Sequence, residues 1–182
     1  MTFIQHALRL SLPVTISRLT LTTFGLLVLA IALPIGFHQF GLGGRVWLPM
    51  HIPALLAGFL AGPLSGIIVG ALAPTLSHAM TGMPPEYAVP LMSVELACYG
   101  LVAGLCYYQL KWNIFATLVL AWIAGRVMFG LTLALLSLFI EMPYTASSWF
   151  ASASSAMLLG WPGLLVQLAV VPSVVWGMGR RK

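Results

Sequence analysis

Two charged residues interrupt otherwise apolar stretches, and their chemistry is that of an ion pair or a polar binding site. Glu95 lies about one turn into the fourth predicted span, and Arg126 lies near the middle of the fifth. A charge at bilayer depth costs at least a few kcal/mol, so such residues usually pair, face a bundle interior and serve a function. We expect Glu95 and Arg126 to pair, or to form two ends of one polar ligand site. A structural ion pair that only sets helix register is the alternative.

Three histidines, His38, His51 and His78, fall on one predicted side of the molecule, which is an arrangement that could hold a metal ion. Their spacings are wide, and no carboxylate or thiol accompanies them at ligand spacing. We therefore expect no metal site and no cofactor bound by this chain, and keep metal-ion transport as an alternative. His51 opens a helix within the string Pro49-Met50-His51-Ile52-Pro53, where we expect it to donate or accept a hydrogen bond with a ligand.

Aromatic side chains in the predicted connections are further candidates for a ligand pocket. They are Trp47, Tyr87 and Tyr144. An aromatic belt at the membrane interface is the alternative explanation for all of them, and for Tyr99 in the fourth span.

Sequence motifs of catalysis are missing from the chain. It has no aspartate, no His-Glu-x-x-His, no Gly-x-Ser-x-Gly and no nucleotide-binding Gly-x-x-x-x-Gly-Lys string. Ser154 and Ser155 have no base fixed beside them, so an intramembrane protease is disfavoured. We expect that the chain is not an enzyme, and that any uphill transport takes its energy from a gradient or another subunit.

The composition indicates that membrane-spanning helices hold these residues in place. The 182 residues are 60% hydrophobic and 6% charged, whereas a soluble domain needs roughly a quarter charged residues. Lipid-facing helices need no such charge. The formal charge of +5 is scattered or terminal, which excludes a nucleic-acid partner. Cys98 and Cys106 lie about two turns apart and should stay unbridged. We predict one all-α transmembrane domain over 1–182, with the first apolar run retained as a span.

Apolar runs at 19–37, 51–80, 91–110, 113–140 and 156–178 define the spans. The second run is too long for one span, and Gly62-Pro63 should break it into a short helix, 51–62, and a longer one, 64–80. With six helices and a cytoplasmic N-terminus, nearly all basic residues lie inside, as the positive-inside rule requires. We predict a six-helix bundle with both termini cytoplasmic and a short second helix.

The predicted connections differ between the two sides of the membrane. The outer ones, 38–50, 81–90 and 141–155, are long and aromatic, whereas the inner turns at Gly62-Pro63 and Lys111-Trp112-Asn113 are short. Because loops carry binding function, this asymmetry indicates a ligand approached from outside. Glycines four residues apart, at 58, 62, 66 and 70, predict a seam where two helices approach closely.

The same region carries a family resemblance. The string Leu-Pro-Met-His-Ile-Pro-Ala-Leu-Leu-Ala-Gly-Phe-Leu-Ala-Gly-Pro at 48–63 is followed by Gly66, Gly70 and Pro74, by Thr-Gly-Met-Pro-Pro at 81–85 and by Glu-Leu-Ala-Cys-Tyr-Gly at 95–100. Over residues 48–104 the chain resembles the substrate-binding S component of energy-coupling factor (ECF) transporters. The size and the six-helix layout extend the resemblance along the chain.

This resemblance implies a multi-pass protein of a prokaryotic cell membrane that captures a vitamin or related micronutrient beneath its outer loops. Such proteins dock on a transmembrane coupling subunit served by two ATPase subunits, and are thought to topple to release the ligand. The Pro-Met-His-Ile-Pro and Gly-Met-Pro-Pro strings look most similar to members associated with pantothenate. A carboxylated ligand would suit Arg126 or Arg45, and a hydroxyl-rich one would suit His51, Glu95 and His78.

Docking in this family commonly uses small residues four apart on the first helix. Here Ala32 and Gly36 lie toward the predicted outer end, so either the docking surface uses other residues, such as Ala57 and Ala61, or the complex is arranged differently. Two other functions remain open: a structural or assembly membrane protein without a ligand, and a stand-alone gradient-driven carrier. No internal repeat is visible to support the carrier.

Overall fold

The computed structural model describes the backbone of residues 16–41, 44–139, 141 and 146–179, and the side chains of 18–41, 46–139, 141 and 160–178. All regular structure in these ranges is helical. The helices are α1 Ile16–Gln39, α2 Gly44–Trp47, α3 His51–Ala61, α4 Pro63–Thr81, α5 Val89–Ala103, α6 Ile114–Leu136 and α7 Ala146–Gly179. A 3-10 turn, Glu86–Ala88, precedes α5, and a π-helix, Gly104–Gln109, extends it.

Within the described residues, five helical segments are long and apolar enough to cross a membrane. They are Arg18–Gln39, Pro63–Thr81, Glu86–Gln109, Ile114–Leu136 and Gly160–Met178. The helix α3 is apolar but shorter. These segments match the predicted spans closely, whereas six crossings and cytoplasmic termini stay predictions.

The break between α3 and α4 is at the predicted position. Gly62 adopts φ 92° and ψ 177°, a conformation open to glycine, and Pro63 begins α4, where a missing N–H costs nothing. At 1.5 Å per residue, α3 is about 16 Å long and cannot cross a hydrocarbon core of about 30 Å. Nearly all of α3 is buried, so this short helix lies inside the bundle.

The predicted glycine seam is confirmed for Gly58, Gly66 and Gly70, where α3 and α4 pack on α5, whereas Gly62 lies in the break and faces the ring of Tyr108. A methyl group added to Gly66 would collide with the backbone of Gly100, and one added to Gly70 would collide with the backbone of Leu96. Gly58 likewise lies against the carbonyl of Gly100. Because no side chain fits between these backbones, α4 and α5 form the most extensive helix contact in the described bundle.

The predicted turn at Lys111-Trp112-Asn113 follows the π-helix Gly104–Gln109. The N–H of Leu110 donates to the carbonyl of Leu105 at 2.9 Å, five residues back, as in a π-helix. Asn113 then caps α6, because its side-chain oxygen accepts from the N–H of Phe115 at 2.8 Å. Cys98 and Cys106 are both free, as expected.

The predicted outer connections contain more helix than expected. The helix α7 begins at Ala146, so much of the stretch assigned to the connection 141–155 is helical. Small and polar residues there lowered its hydropathy without supplying a helix breaker. The short helix α2 and the 3-10 turn likewise lie within the other two connections.

Candidate ligand site

The two charged residues of the apolar helices meet in the bundle. Nη1 of Arg126, on α6, lies 3.1 Å from Oε1 of Glu95, on α5. The Glu95 side chain is 3% exposed and that of Arg126 is 23% exposed. The predicted ion pair is therefore confirmed. Its geometry leaves most of the five guanidinium N–H donors of Arg126 outside this contact.

Tyr99 is the second partner of Glu95. Its hydroxyl donates to the same Oε1 atom at 3.0 Å, which the i, i+4 spacing on α5 allows. The ring packs on Gly125 of α6 so closely that a Cβ at this glycine would overlap it. Tyr99 is 1% exposed, so its assignment to an interfacial belt is wrong. An aromatic residue on the α5 face that packs on a glycine is covered by the neighbouring helix.

His51 lies beside this pair at the start of α3. Its ring centroid is 5.3 Å from that of Tyr99, with the planes tilted by 49°. The side chain is 3% exposed, and neither ring nitrogen has a hydrogen-bond partner in the described part of the chain. Buried polar atoms normally find partners, so His51 has one donor and one acceptor to offer when neutral.

A second polar pair, which sequence reasoning missed, joins α6 and α7. The indole N–H of Trp122 donates to Oε1 of Gln167 at 2.8 Å. Gln167 is fully buried, and its Nε2 has no partner in the described ranges. Trp122 precedes Arg126 by one turn on the same face of α6. A glutamine inside the last apolar run was the available signal.

Thr117, nearer the start of α6, has a buried hydroxyl oxygen that is also unpaired among the described residues.

His78 and Tyr87 belong to the connection between α4 and α5. Nδ1 of His78 lies 2.7 Å from the carbonyl oxygen of Pro84, and must donate because a carbonyl only accepts. The hydroxyl of Ser77 donates to the carbonyl of Met83 at 2.8 Å. These bonds hold the connection against the last turn of α4. Tyr87 lies in the 3-10 turn and is half-buried.

The remaining candidates lie around α2. Trp47 ends this helix, with its ring centroid 6.4 Å from that of Phe37, and its backbone lies against Gly163 of α7. Arg45 lies on α2, but its side chain is outside the described residues, as is all of Tyr144. His38 is exposed near the end of α1. Among the described histidines, cysteines and acidic residues, no three are placed to hold a metal ion.

The arrangement is a small polar centre in an apolar bundle. It offers a cation with spare donors at Arg126 and a buried imidazole beside the Tyr99 ring at His51. One turn before Arg126, Trp122 bonds Gln167, whose amine has no partner in the described ranges. Such a centre can bind a small molecule that carries an anionic group and neutral oxygens.

Comparison with known proteins identifies the family. No curated protein and no solved structure matches the chain. Residues 19–175 match the model of the family described as "ECF transporter, substrate-specific component". This range covers the long apolar helices apart from Arg18 at the start of the first and residues 176–178 at the end of the last. It also contains Glu95, Arg126, His51 and Gln167. The chain therefore belongs to the family of substrate-specific components of ECF transporters.

Proposed function

We propose that this chain is the membrane subunit that captures pantothenate, or a closely similar carboxylated micronutrient, for ATP-driven uptake powered by partner subunits. Its family is one of transporter components rather than enzymes, and its members bind small ligands and work with membrane coupling and ATPase subunits. The observation that carries the proposal is the buried Glu95–Arg126 pair beside the unpaired imidazole of His51.

Arg126 is the anchor for the carboxylate. Glu95 accepts from Nη1, and the hydroxyl of Tyr99 holds that same carboxylate in place. The charge of Arg126 is thus balanced when no ligand is bound, and its other N–H groups can donate to a second carboxylate. Charge-assisted and bidentate hydrogen bonds of this kind are about twice as strong as neutral ones.

His51 is the anchor for a hydroxyl group. Its nitrogens are buried next to Tyr99, so a ligand hydroxyl can donate to one nitrogen or accept from the other. Pantothenate carries a carboxylate, an amide and two hydroxyls, which suits this combination. Trp47, Tyr87, Arg45 and Tyr144 lie in the connections assigned to the outer side and are proposed to cover the ligand.

The partner surface is the exposed face of α1. Gly25, Ala32 and Gly36 share this face, and a Cβ at either glycine would meet nothing within 4 Å. Large apolar side chains flank them, including Leu21 at 70% and Phe24 at 62% exposure. We assign the coupling subunit to this face.

The burial of the alternative docking residues supports this assignment. Ala57 is completely buried and Ala61 is 7% exposed, because α3 lies inside the bundle. Neither can meet a partner subunit without opening the packed helices, which favours α1 as the docking surface.

A binding measurement on the purified chain tests the proposal. Isothermal titration with pantothenate in detergent should show saturable binding, and a concentration of 100 times Kd should stabilise the fold by about 2.7 kcal/mol. Arg126→Ala should abolish binding, whereas Arg18→Ala, which removes an exposed charge on α1, should not. Absence of stabilisation by any compound in a broad vitamin panel would contradict ligand capture.

A further inference from the structure

The side-chain amide of Gln167 has a defined orientation. Indole N–H groups only donate hydrogen bonds, so the amide atom 2.8 Å from Nε1 of Trp122 must be the oxygen. The amine of Gln167 then points away from Trp122, with two N–H donors. Gln167 is fully buried, and no acceptor meets this amine in the described part of the chain.

An unpaired buried amine is costly to the ligand-free protein. Leaving such a donor without a partner costs about 1–3 kcal/mol, and an apolar residue of similar size would avoid that cost. Valines and leucines surround Gln167 along α7, so the sequence readily supplies apolar residues here. A donor kept in this position indicates that an acceptor arrives from elsewhere.

We propose that Nε2 of Gln167 donates to a neutral carbonyl oxygen of the transported ligand, and that Trp122 positions the amide for this contact. This inference rests on the proposed function and adds a specificity-determining residue to it. Trp122 lies four residues before Arg126, which is about 6 Å along the helix axis. The ligand should therefore carry a neutral carbonyl oxygen as well as its anionic group, as an N-acyl amino acid does.

The variants that test this proposal remove the polar pair as a unit. Trp122→Phe with Gln167→Leu deletes the indole N–H and its acceptor together, so neither is left unpaired. Ser173→Ala on α7 is the matched control, because it removes an exposed hydroxyl that donates to its own helix, at 2.6 Å from the carbonyl of Ala169.

The first measurement needs no ligand. If the pair has a structural role, for example through a bridging water, the double variant should melt several degrees below the wild type. If the amine is a spare donor, the Tm of the double variant should lie within about 2 °C of the wild type or above it. A large fall in Tm overturns the proposal whatever the ligand is.

The second measurement uses pantothenate and its thioamide analogue, in which sulfur, a weaker acceptor, replaces the amide oxygen. The wild type and Ser173→Ala should bind the analogue at least tenfold more weakly than pantothenate. The double variant should bind both within about threefold, since the contact is already lost. An equal preference in wild type and double variant overturns the role of Gln167, although loss of binding in Arg126→Ala would still uphold the proposed function.

Failure of the wild type to bind pantothenate would contradict the ligand named in the proposed function. The ligand-free Tm would then decide alone: an unchanged or higher value supports a donor reserved for another carbonyl ligand, and a lowered value overturns it.

Discussion

Replacing Arg126 by glutamine, alone and together with Glu95→Gln, separates a ligand-binding ion pair from a structural one. The single variant leaves the Glu95 carboxylate buried with the Tyr99 hydroxyl as its remaining partner. The double variant removes both charges but keeps two polar side chains that can bond each other and Tyr99. We expect the single variant to be destabilised and the double variant to regain most of the stability, yet neither to bind pantothenate tightly.

The magnitudes follow from burial. Removing one partner of a buried ion pair costs about 3–5 kcal/mol, because the other charge loses its compensation. Glu95 is only 3% exposed, so its carboxylate would stay buried without the guanidinium and the cost should fall within this range. Replacing both charges should cost about 1 kcal/mol or less. Losing a charged hydrogen bond to the ligand carboxylate removes about 1.5–3 kcal/mol, which is about ten- to a hundredfold in affinity.

Denaturant unfolding in detergent micelles, followed by circular dichroism, measures the stability of each variant. Isothermal titration with pantothenate measures affinity, with Arg18→Gln as the control for loss of an exposed charge. A double variant that recovers both stability and wild-type affinity would refute a binding role for Arg126. A double variant as unstable as the single one would refute the charge-compensation reasoning.

Three further changes have distinct expected outcomes. His51→Phe keeps the ring contact with Tyr99 but removes both nitrogens, so affinity should fall at least tenfold while the ligand-free Tm stays the same or rises. Gly66→Ala should lower the Tm strongly, because its methyl group would collide with the backbone of α5. The control is Gly177→Ala, whose methyl group meets nothing within 4 Å, so its Tm should be unchanged or slightly higher. Equal effects of the two variants would contradict close packing at the glycine seam. Gly25→Phe should block ATP-driven uptake in proteoliposomes containing the coupling and ATPase subunits but leave binding by the isolated chain unchanged, and normal uptake would exclude this face of α1.

Local chemical signals made much of the fold predictable. Gly62-Pro63 made the break between α3 and α4 predictable. Proline disfavours helix in the residue before it, and that residue is a glycine, which tolerates a positive φ. The glycines at 58, 66 and 70 made the packing of α3 and α4 on α5 predictable, because only glycine lets two backbones come into contact. Glu95 and Arg126 were predictable as a pair since neither charge is stable alone at depth.

Other features needed the three-dimensional packing. Gln167 and Trp122 are neutral, so nothing in the sequence indicates that they are buried and bonded to each other. The role of His78 depends on how the connection after α4 folds back onto that helix, which residue spacing does not determine. The early start of α7 was missed because hydropathy marks the lipid-facing part of a helix and not its full length.

The shortness of α3 has a consequence for biosynthesis. A span is released from the translocation channel into lipid when it is long and apolar enough to be stable there by itself. Eleven residues that cover about half of the hydrocarbon thickness do not meet this condition, although the residues of α4 directly after Gly62 do. We therefore expect α4 to insert as an independent helix, and α3 to be drawn into the bundle only when α5 arrives to pack on Gly58. His51 is carried by α3, so it reaches the Tyr99 ring of α5 only at this step, after α4 has inserted, and the site still awaits Arg126 on α6.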